Sequence, residues 1–283
     1  MHPILFQIGN FPIYTYGMIL AVAISSGLYF AGYLAAKRGW DFLDIADIGL
    51  WAVIIGLIGA RLGYVIQRPE TFADNWWSVL NFRTGGITII GAIVFGNLAL
   101  ALLCRRYKLS PWFCVDIYTA PLLWGMALGR LGCVAQGCCA GKVCSEGLLW
   151  AIHYPANSAL GAFPRHPSQI YELVLDLLLM AFCLWFFNKK AKFQGQTFWV
   201  GVSGYALIRF CTEFFRDGKS LGCFSLAQWF CLAMFVVALL GANGVFGKAA
   251  LAVPPAKNTE KEEVASTVAK EIDTLPMAKA RRF

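Results

Sequence analysis

Residues 111–141 read PWFCVDIYTAPLLWGMALGRLGCVAQGCCAG, an apolar run that reaches Arg130 and then becomes a loop rich in glycine and cysteine. The apolar part is long enough to form a helix across a hydrocarbon core about 30 Å thick. A guanidinium is costly at the edge of such a core, so Arg130 marks a candidate functional site; the alternative is an arginine that only extends to the interface. Four glycines in residues 129–141 let the backbone approach a ligand closely.

Apolar runs of this kind recur along the 283 residues, of which 58% are hydrophobic and 14% charged. They predict an all-α integral membrane protein with seven transmembrane helices, near residues 13–35, 48–65, 85–104, 111–130, 169–187, 197–215 and 226–245. The formal net charge of +8 does not indicate nucleic-acid binding, because Lys and Arg lie in short clusters between the apolar runs.

Compact basic clusters lie in the connections at residues 37–38, 105–108 and 189–192. Because cytoplasmic loops carry an excess of Lys and Arg, these connections are predicted to be cytoplasmic, with the N-terminus and the Arg130 loop outside. Trp76 and Trp77 indicate an interfacial helix near residues 71–82. We expect one membrane domain in residues 1–247 and a disordered, charged cytoplasmic tail in residues 248–283.

The sixth predicted span carries a polar stripe near its outer end. Tyr205, Arg209 and Glu213 are spaced i, i+4, i+8, and Arg216 lies close to the same face. Arg209 is expected to pair with Glu213, which offsets part of the cost of the charge. Two or three guanidiniums suit a phosphodiester, because each can donate two parallel hydrogen bonds to phosphate oxygens. The stripe therefore indicates an anion site, and the alternative is a purely structural Arg–Glu pair.

The fifth span is preceded by the sequence RHPSQIYE, residues 165–172. Ser168 is a candidate N-cap, with Glu172 near the first turn. His166 is one of only three histidines and is a candidate base, although a lone histidine beside a helix start is more often structural.

Several short motifs, in this order and spacing, resemble the bacterial prolipoprotein diacylglyceryl transferase family. The resemblance runs from residue 6 to about residue 228, and its motifs are FxIG (6–9), YxYG (14–17), GARLGY (59–64), GGIT (85–88), GRLG (129–132), RHPSQIYE (165–172), GYxxxRxxxEFFR (204–216) and SxxQ (225–228). Each motif alone is weak, but the whole set in this order is specific.

The resemblance implies a monomeric enzyme of the bacterial inner membrane that needs no cofactor. It would transfer a diacylglyceryl group from phosphatidylglycerol to the lipobox cysteine thiol of a prolipoprotein, releasing glycerol phosphate. The resemblance makes Arg130, Arg209 and Tyr205 the expected catalytic residues, and His166 is a further candidate as the base. The implied substrate-binding residues are Arg130, Tyr16, Gln136, Gly141, Glu213, Arg216 and Arg165.

The chain departs from the family pattern at the centre of the site. The family loop reads Gly-Arg-x-Gly-Asn-Phe-x-Asn-x-Glu-x-x-Gly, and the corresponding positions here are Cys133, Val134, Gln136 and Cys138. Ile90 replaces a histidine of the family's Gly-Gly-x-Ser-Phe-His-Gly-Gly motif, and isoleucine cannot accept a proton. Two alternatives follow: a divergent transferase or thiol-dependent enzyme with another acceptor, and a non-enzymatic lipid- or anion-binding membrane protein.

Ten cysteines add a further question. Four of them form a C-x4-C-C-x4-C pattern in the predicted outer loop: Cys133, Cys138, Cys139 and Cys144. They can serve as disulfides or structural thiols, as a reactive thiol beside Arg130, or as metal ligands. Adjacent cysteines lack the C-x2-C spacing of ordinary zinc sites, so we predict no metal ligand. The cysteines in or beside spans are expected to be buried, namely Cys104, Cys114, Cys183, Cys211 and Cys231.

Overall fold

The structure is a computed structural model that describes residues 4–9, 11–73, 75–81, 86–155, 161–216 and 220–247. Within these residues the chain forms seven α-helices: α1 (Thr15–Ala36), α2 (Phe42–Gln67), α3 (Ile89–Arg106), α4 (Pro111–Gln136), α5 (Ser168–Lys189), α6 (Gln196–Glu213) and α7 (Leu226–Ala242). Two antiparallel ribbons complete it, β1 (Ile4–Ile8) with β2 (Phe11–Tyr14) and β3 (Ser220–Leu221) with β4 (Phe224–Ser225). The sequence pattern did not predict these ribbons. The predicted tail at 248–283 lies outside the described residues.

The helices make this chain a multi-pass, all-helical membrane protein. In the described part, α1 to α5 are long and apolar enough to cross a membrane. The α6 helix is less apolar because it carries the polar stripe, and α7 is an apolar helix of 17 residues.

The end of α4 differs from the prediction. The helix continues for six residues beyond Arg130, to Gln136, and stops where Gly137 adopts the left-handed conformation at φ 72°. The Gly137 and Cys138 amides then donate to the Val134 and Cys133 carbonyl oxygens. Arg130 is therefore inside α4, because a capping glycine ends the helix and the charge does not.

Other helix ends also differ from the sequence interpretation. The Ser168 hydroxyl does not cap α5; it donates to the Cys139 carbonyl oxygen at 2.9 Å. Ser225 caps α7 through a capping box with Gln228, which explains the SxxQ motif locally. The predicted interfacial helix consists of two short 3₁₀ turns, Pro69–Phe72 and Trp76–Leu80, while residues 74 and 82 lie outside the described part.

Buried contacts set the order of the bundle. At the contact of α2 with α3, a Cβ atom on Gly91 would lie 2.2 Å from the Gly59 carbonyl oxygen, so only glycine permits this approach. One core cluster packs residues of α1, α2 and α4, among them Ala31, Ile48 and Ile117.

Four of the five span cysteines are buried as predicted, and the prediction is wrong for Cys211, which is exposed on α6.

The Asp116 carboxylate of α4 fixes the start of α6. It accepts hydrogen bonds from the backbone amides of Gly195 and Phe198 at 2.6 and 2.8 Å. These amides are the donors that a helix N-terminus leaves unpaired, and a carboxylate is also favourable at the positive end of the helix dipole. Because α4 and α6 then continue from this contact in the same direction, Arg130 and Arg209 reach the same end of the bundle.

Candidate active site

Three arginines converge on the single carboxylate of Glu172 in α5. Arg209 donates to Glu172 Oε1 at 2.8 Å and Arg216 donates to the same oxygen at 3.2 Å. Arg130 forms an ion pair with Glu172 Oε2. The three cations come from α4, from α6 and from the turn after α6, so the cluster exists only in the packed bundle.

The cluster is buried on one side and open on the other. The Glu172 side chain is 1% exposed, whereas those of Arg130, Arg209 and Arg216 are 16%, 22% and 19% exposed. Arg209 also pairs with Glu213 at 3.1 Å, as the i, i+4 spacing predicted. Three guanidiniums therefore contact two carboxylates, and one positive charge is unmatched among these contacts.

The sequence places Glu172 near a predicted helix start and in the RHPSQIYE motif, but it predicts no role for this carboxylate. An additional signal was present, because Glu172 and Asp176 are two carboxylates spaced i, i+4 at the start of an apolar span. Asp176 is fully buried, and within the described residues neither of its oxygens has a hydrogen-bond partner. It lies within electrostatic range of Arg130 and Arg209.

The two predicted tyrosines lie beside the arginine cluster. Tyr205 is partly buried against the apolar cluster that contains Leu179, and it lies within electrostatic range of Arg130 and Arg209. Tyr16, at the start of α1, packs on α4 where a Cβ atom on Gly132 would lie 2.7 Å from its ring. The absence of a side chain at Gly132 thus lets Tyr16 approach Arg130.

Gly141 and Arg165 hold together the loop that follows α4. The Gly141 amide donates to the His166 carbonyl oxygen at 3.0 Å, and Arg165 Nη1 donates to the Gly141 carbonyl oxygen at 3.1 Å. A Cβ atom on Gly141 would lie 2.6 Å from the Phe215 carbonyl oxygen, so a larger residue would push the loop away from α6. These contacts give both residues a structural role beside the cluster.

The structure does not bring His166 and Gln136 into contact with the arginines. His166 Nδ1 lies 3.3 Å from the Tyr171 hydroxyl, and its ring packs edge-on against Phe215. In the described part of the chain, no hydrogen bond or ion pair joins its imidazole to Glu172 or to the arginine cluster. Gln136 is the exposed last residue of α4. Ile90, at the start of α3, is 65% exposed.

Three of the loop cysteines form a cluster. The Sγ atoms of Cys133, Cys138 and Cys139 all lie within 4.8 Å of one another, and the side chains are partly buried. All ten cysteines, which lie in the described part, are free thiols. The pKa of the Cys139 thiol is lowered to about 5 by its hydrogen bond with Cys133 and by the nearby Arg216 guanidinium, although burial opposes the shift.

An apolar cavity of about 490 Å³ lies between α1, α2, α3 and α4. Leu20 and Met126 line it, and each is one helical turn from a site residue, Tyr16 and Arg130 respectively. The cavity therefore lies next to the arginine cluster, in the apolar part of the bundle.

Comparison with known proteins identifies the family. A family model described as prolipoprotein diacylglyceryl transferase matches residues 3–242. The phosphatidylglycerol–prolipoprotein diacylglyceryl transferase of Bordetella avium is 31% identical over 249 residues, covering 84% of this chain and 92% of that protein. Proteins with the same name from Synechocystis sp. (31% over 253 residues, 86% and 88% covered) and Clostridium tetani (28% over 249 residues, 86% and 97% covered) are also similar. The chain belongs to the prolipoprotein diacylglyceryl transferase family.

Proposed function

We propose that this protein transfers a diacylglyceryl group from phosphatidylglycerol to the lipobox cysteine thiol of a prolipoprotein and releases glycerol phosphate. The observation that carries the proposal is the convergence of three arginines on Glu172 at one end of a membrane bundle. The names of the relatives support the same substrates.

The arginine cluster is suited to the lipid phosphate. A guanidinium has five N–H donors. Within the described residues, Arg130 and Arg216 each contact a carboxylate through a single nitrogen. Their remaining donors can bind phosphate oxygens, with Glu172 as the fixed counter-charge behind them. Tyr16 and Tyr205 flank this position as pocket residues.

The apolar cavity suits the acyl chains of the same lipid. It begins one helical turn from Arg130 and Tyr16, so a headgroup at the arginines would place its chains next to the cavity. Apolar lining with a few polar groups at one end is typical of a ligand pocket.

The reaction is a displacement at the terminal glyceryl carbon. The acceptor thiolate forms a carbon–sulfur bond, the carbon–oxygen bond to phosphate breaks, and its electron pair remains on the departing phosphate. Negative charge therefore develops at the arginine cluster. Fixed cations in a poorly hydrated cleft stabilise that charge better than water does.

The proposed orientation has the N-terminus and this site outside, with the C-terminus in the cytoplasm, in the inner membrane of a bacterial cell. Arg38 donates to Asn188 at 3.0 Å, which supports placing two of the basic connections on one side. We extend the spans to seven by including α6, whose polar face is turned to α5, and the short α7. We expect the protein to act as a monomer, with no nucleic acid as a partner.

The experiment uses the purified protein in detergent with phosphatidylglycerol and a synthetic lipobox peptide. The peptide should gain one diacylglyceryl group by mass spectrometry, and a peptide with serine in place of cysteine should not. Arg130→Ala should lose roughly 100-fold in rate. The matched control is Arg68→Ala, because Arg68 is 66% exposed in a surface pair. A fully active Arg130→Ala protein would contradict the proposal.

A second candidate is the same transfer to a different acceptor. The replacement of three family positions by Cys133, Cys138 and Ile90 favours it, because these positions surround the reacting centre in the resemblance. Glycerol phosphate release with a small-molecule thiol, but not with the peptide, would support this candidate over the first.

A further inference from the structure

The proposed reaction requires a thiolate, and the isoleucine at position 90 cannot act as a base. The His166 ring is in contact with Tyr171 and Phe215. A thiol can also be deprotonated by binding to a metal ion, which lowers its pKa without a protein base.

The thiol cluster, defined as Cys133, Cys138 and Cys139, has the dimensions of a metal site. Zinc–sulfur bonds of about 2.3 Å in a tetrahedron place the sulfurs roughly 3.8 Å apart. The three Sγ atoms already lie within 4.8 Å of one another. Rotations of the side chains would close the remaining distance of about 1 Å or less.

The backbone conformation explains how the side chains of the adjacent Cys138 and Cys139 can point toward one metal position. Adjacent side chains in an extended chain point to opposite sides. Cys139 instead adopts φ +62°, a left-handed conformation that non-glycine residues rarely adopt. The argument from C-x2-C spacing therefore does not apply to this loop.

Buried side chains of α5 hold this loop conformation. Gln169 Nε2 donates to the Cys138 carbonyl oxygen at 2.7 Å, and the Ser168 hydroxyl donates to the Cys139 carbonyl oxygen at 2.9 Å. Gln169 and Ser168 are 1% and 0% exposed. The three thiols are thus positioned by the packed bundle before any ligand binds.

The thiol cluster borders the arginine cluster. Cys133 lies three residues after Arg130 on α4, and the Arg216 guanidinium lies beside the Cys139 thiol. Three thiolates with one Zn²⁺ carry a formal charge of −1, and the nearby cations offset it. Because the cysteines are only partly buried, a fourth ligand can approach from the open side.

We propose that Cys133, Cys138 and Cys139 bind one Zn²⁺ whose fourth position accepts the acceptor cysteine of the prolipoprotein. This inference rests on the proposed function. The acceptor thiol loses its proton to water on binding zinc. Its sulfur then attacks the glyceryl carbon, and the leaving electron pair passes to the phosphate held by the arginines. No electron is gained or lost overall, and three protein ligands with an open position are typical of catalytic zinc.

The first test is the metal content of the full chain, purified in detergent under reducing conditions and incubated with Zn²⁺ before removal of excess metal. We expect about one zinc per chain in the wild type. Each of Cys133→Ser, Cys138→Ser and Cys139→Ser should bind at least fivefold less. Cys144→Ser is the matched control from the same loop and should bind as the wild type does. Wild-type protein that binds no more zinc than Cys139→Ser would overturn the inference.

The second test uses Co²⁺ in place of Zn²⁺. The wild type should show thiolate-to-cobalt charge-transfer absorption, and the lipobox peptide should change the ligand-field bands because a fourth sulfur replaces water. The peptide with serine should leave them unchanged. Identical spectra with both peptides would overturn the acceptor role. Size-exclusion profiles of the serine variants show whether loss of metal is due to unfolding.

Both tests are independent of turnover. If zinc binds and the peptide changes the cobalt spectrum but no diacylglyceryl group is transferred, the proposed function fails and the metal site stands. If transfer proceeds at full rate in metal-free protein, the zinc inference fails and the proposed function stands.

Discussion

Two arginine sites in this bundle differ in burial and in hydrogen bonding. Arg61 of α2 is 3% exposed and donates to the carbonyl oxygens of Ser78, Val79, Asn81 and Gly86, at 2.7 to 2.9 Å. Arg130, Arg209 and Arg216 share the carboxylate of Glu172 and are 16% to 22% exposed. Both sites lie in motifs that resemble the same family.

The comparison separates a structural cation from the cations that we propose bind the lipid phosphate. The Arg61 donors are used on the backbone of the connection between α2 and α3, which they hold against the bundle. The arginine cluster has more donors than its carboxylates accept, and it faces an opening. A charged side chain in a membrane protein therefore indicates a ligand-binding site only when the fold leaves some of its hydrogen-bonding groups unused.

Replacing the shared carboxylate should have the largest effect. Glu172→Gln leaves three guanidiniums without their common counter-charge, and loss of one partner of a buried pair costs about 4 kcal/mol. Glycerol phosphate should restore part of that stability, because it supplies a negative charge at the same place. Thermal unfolding in detergent, with and without glycerol phosphate, measures both effects. Glu70→Gln is the control, since Glu70 is 65% exposed. An unchanged Glu172→Gln protein would remove the distinction between the two sites.

Removing one cation of the cluster should affect the reaction more than the fold. We expect Arg209→Ala to lower the transfer rate roughly 100-fold, because developing phosphate charge loses a fixed donor. Arg209→Lys should recover only part of the rate, since an ammonium cannot donate the parallel pair of hydrogen bonds. Initial rates with phosphatidylglycerol and the lipobox peptide check this. Equal rates for alanine and wild type would contradict a phosphate role.

The opposite result is expected at Arg61. Arg61→Ala should lower the free energy of unfolding by about 2 kcal/mol, because several carbonyl oxygens lose a charged donor. The transfer rate per folded molecule should remain within about twofold of the wild type, since this arginine supplies nothing to the reacting atoms. Chemical denaturation in detergent measures the free energy of unfolding. Initial rates normalised to folded protein measure the transfer rate per folded molecule. A selective loss of rate at full stability would place Arg61 in the site.

The smallest effect is expected from the cavity. A Cβ atom on Gly125 meets no atom within 4 Å, so Gly125→Leu can extend into the cavity without a backbone clash. Transfer from long-chain phosphatidylglycerol should fall about fivefold, with a smaller loss for a short-chain lipid that needs less room. A similar loss for both lipids would indicate a general disturbance of α4 and not an occupied cavity.

Much of the helical layout could be predicted from the chain. Each predicted span corresponds to a helix, because hydrophobic runs of this length leave few alternatives in a bilayer. The ends of the helices follow the sequence pattern less closely. The apolar run predicts an end of α4 at Arg130, although Gly137 ends it. The sequence also predicts Ser168 as a cap, although its hydroxyl donates to the Cys139 carbonyl oxygen. A charged side chain and a capping residue are both signals of a helix end, and only the backbone geometry shows which residue ends the helix.

By itself, the sequence determined that Arg130 and Arg209 lie near one end of their helices, because rise per residue and apolar length fix the depth of a side chain. The tertiary structure alone decided that both meet Arg216 at Glu172, and that Cys133 faces Cys138 and Cys139. The physical reason is that periodicity describes positions around one helix axis. Convergence depends on the rotation and packing of several helices, which buried contacts such as that of Asp116 with α6 establish.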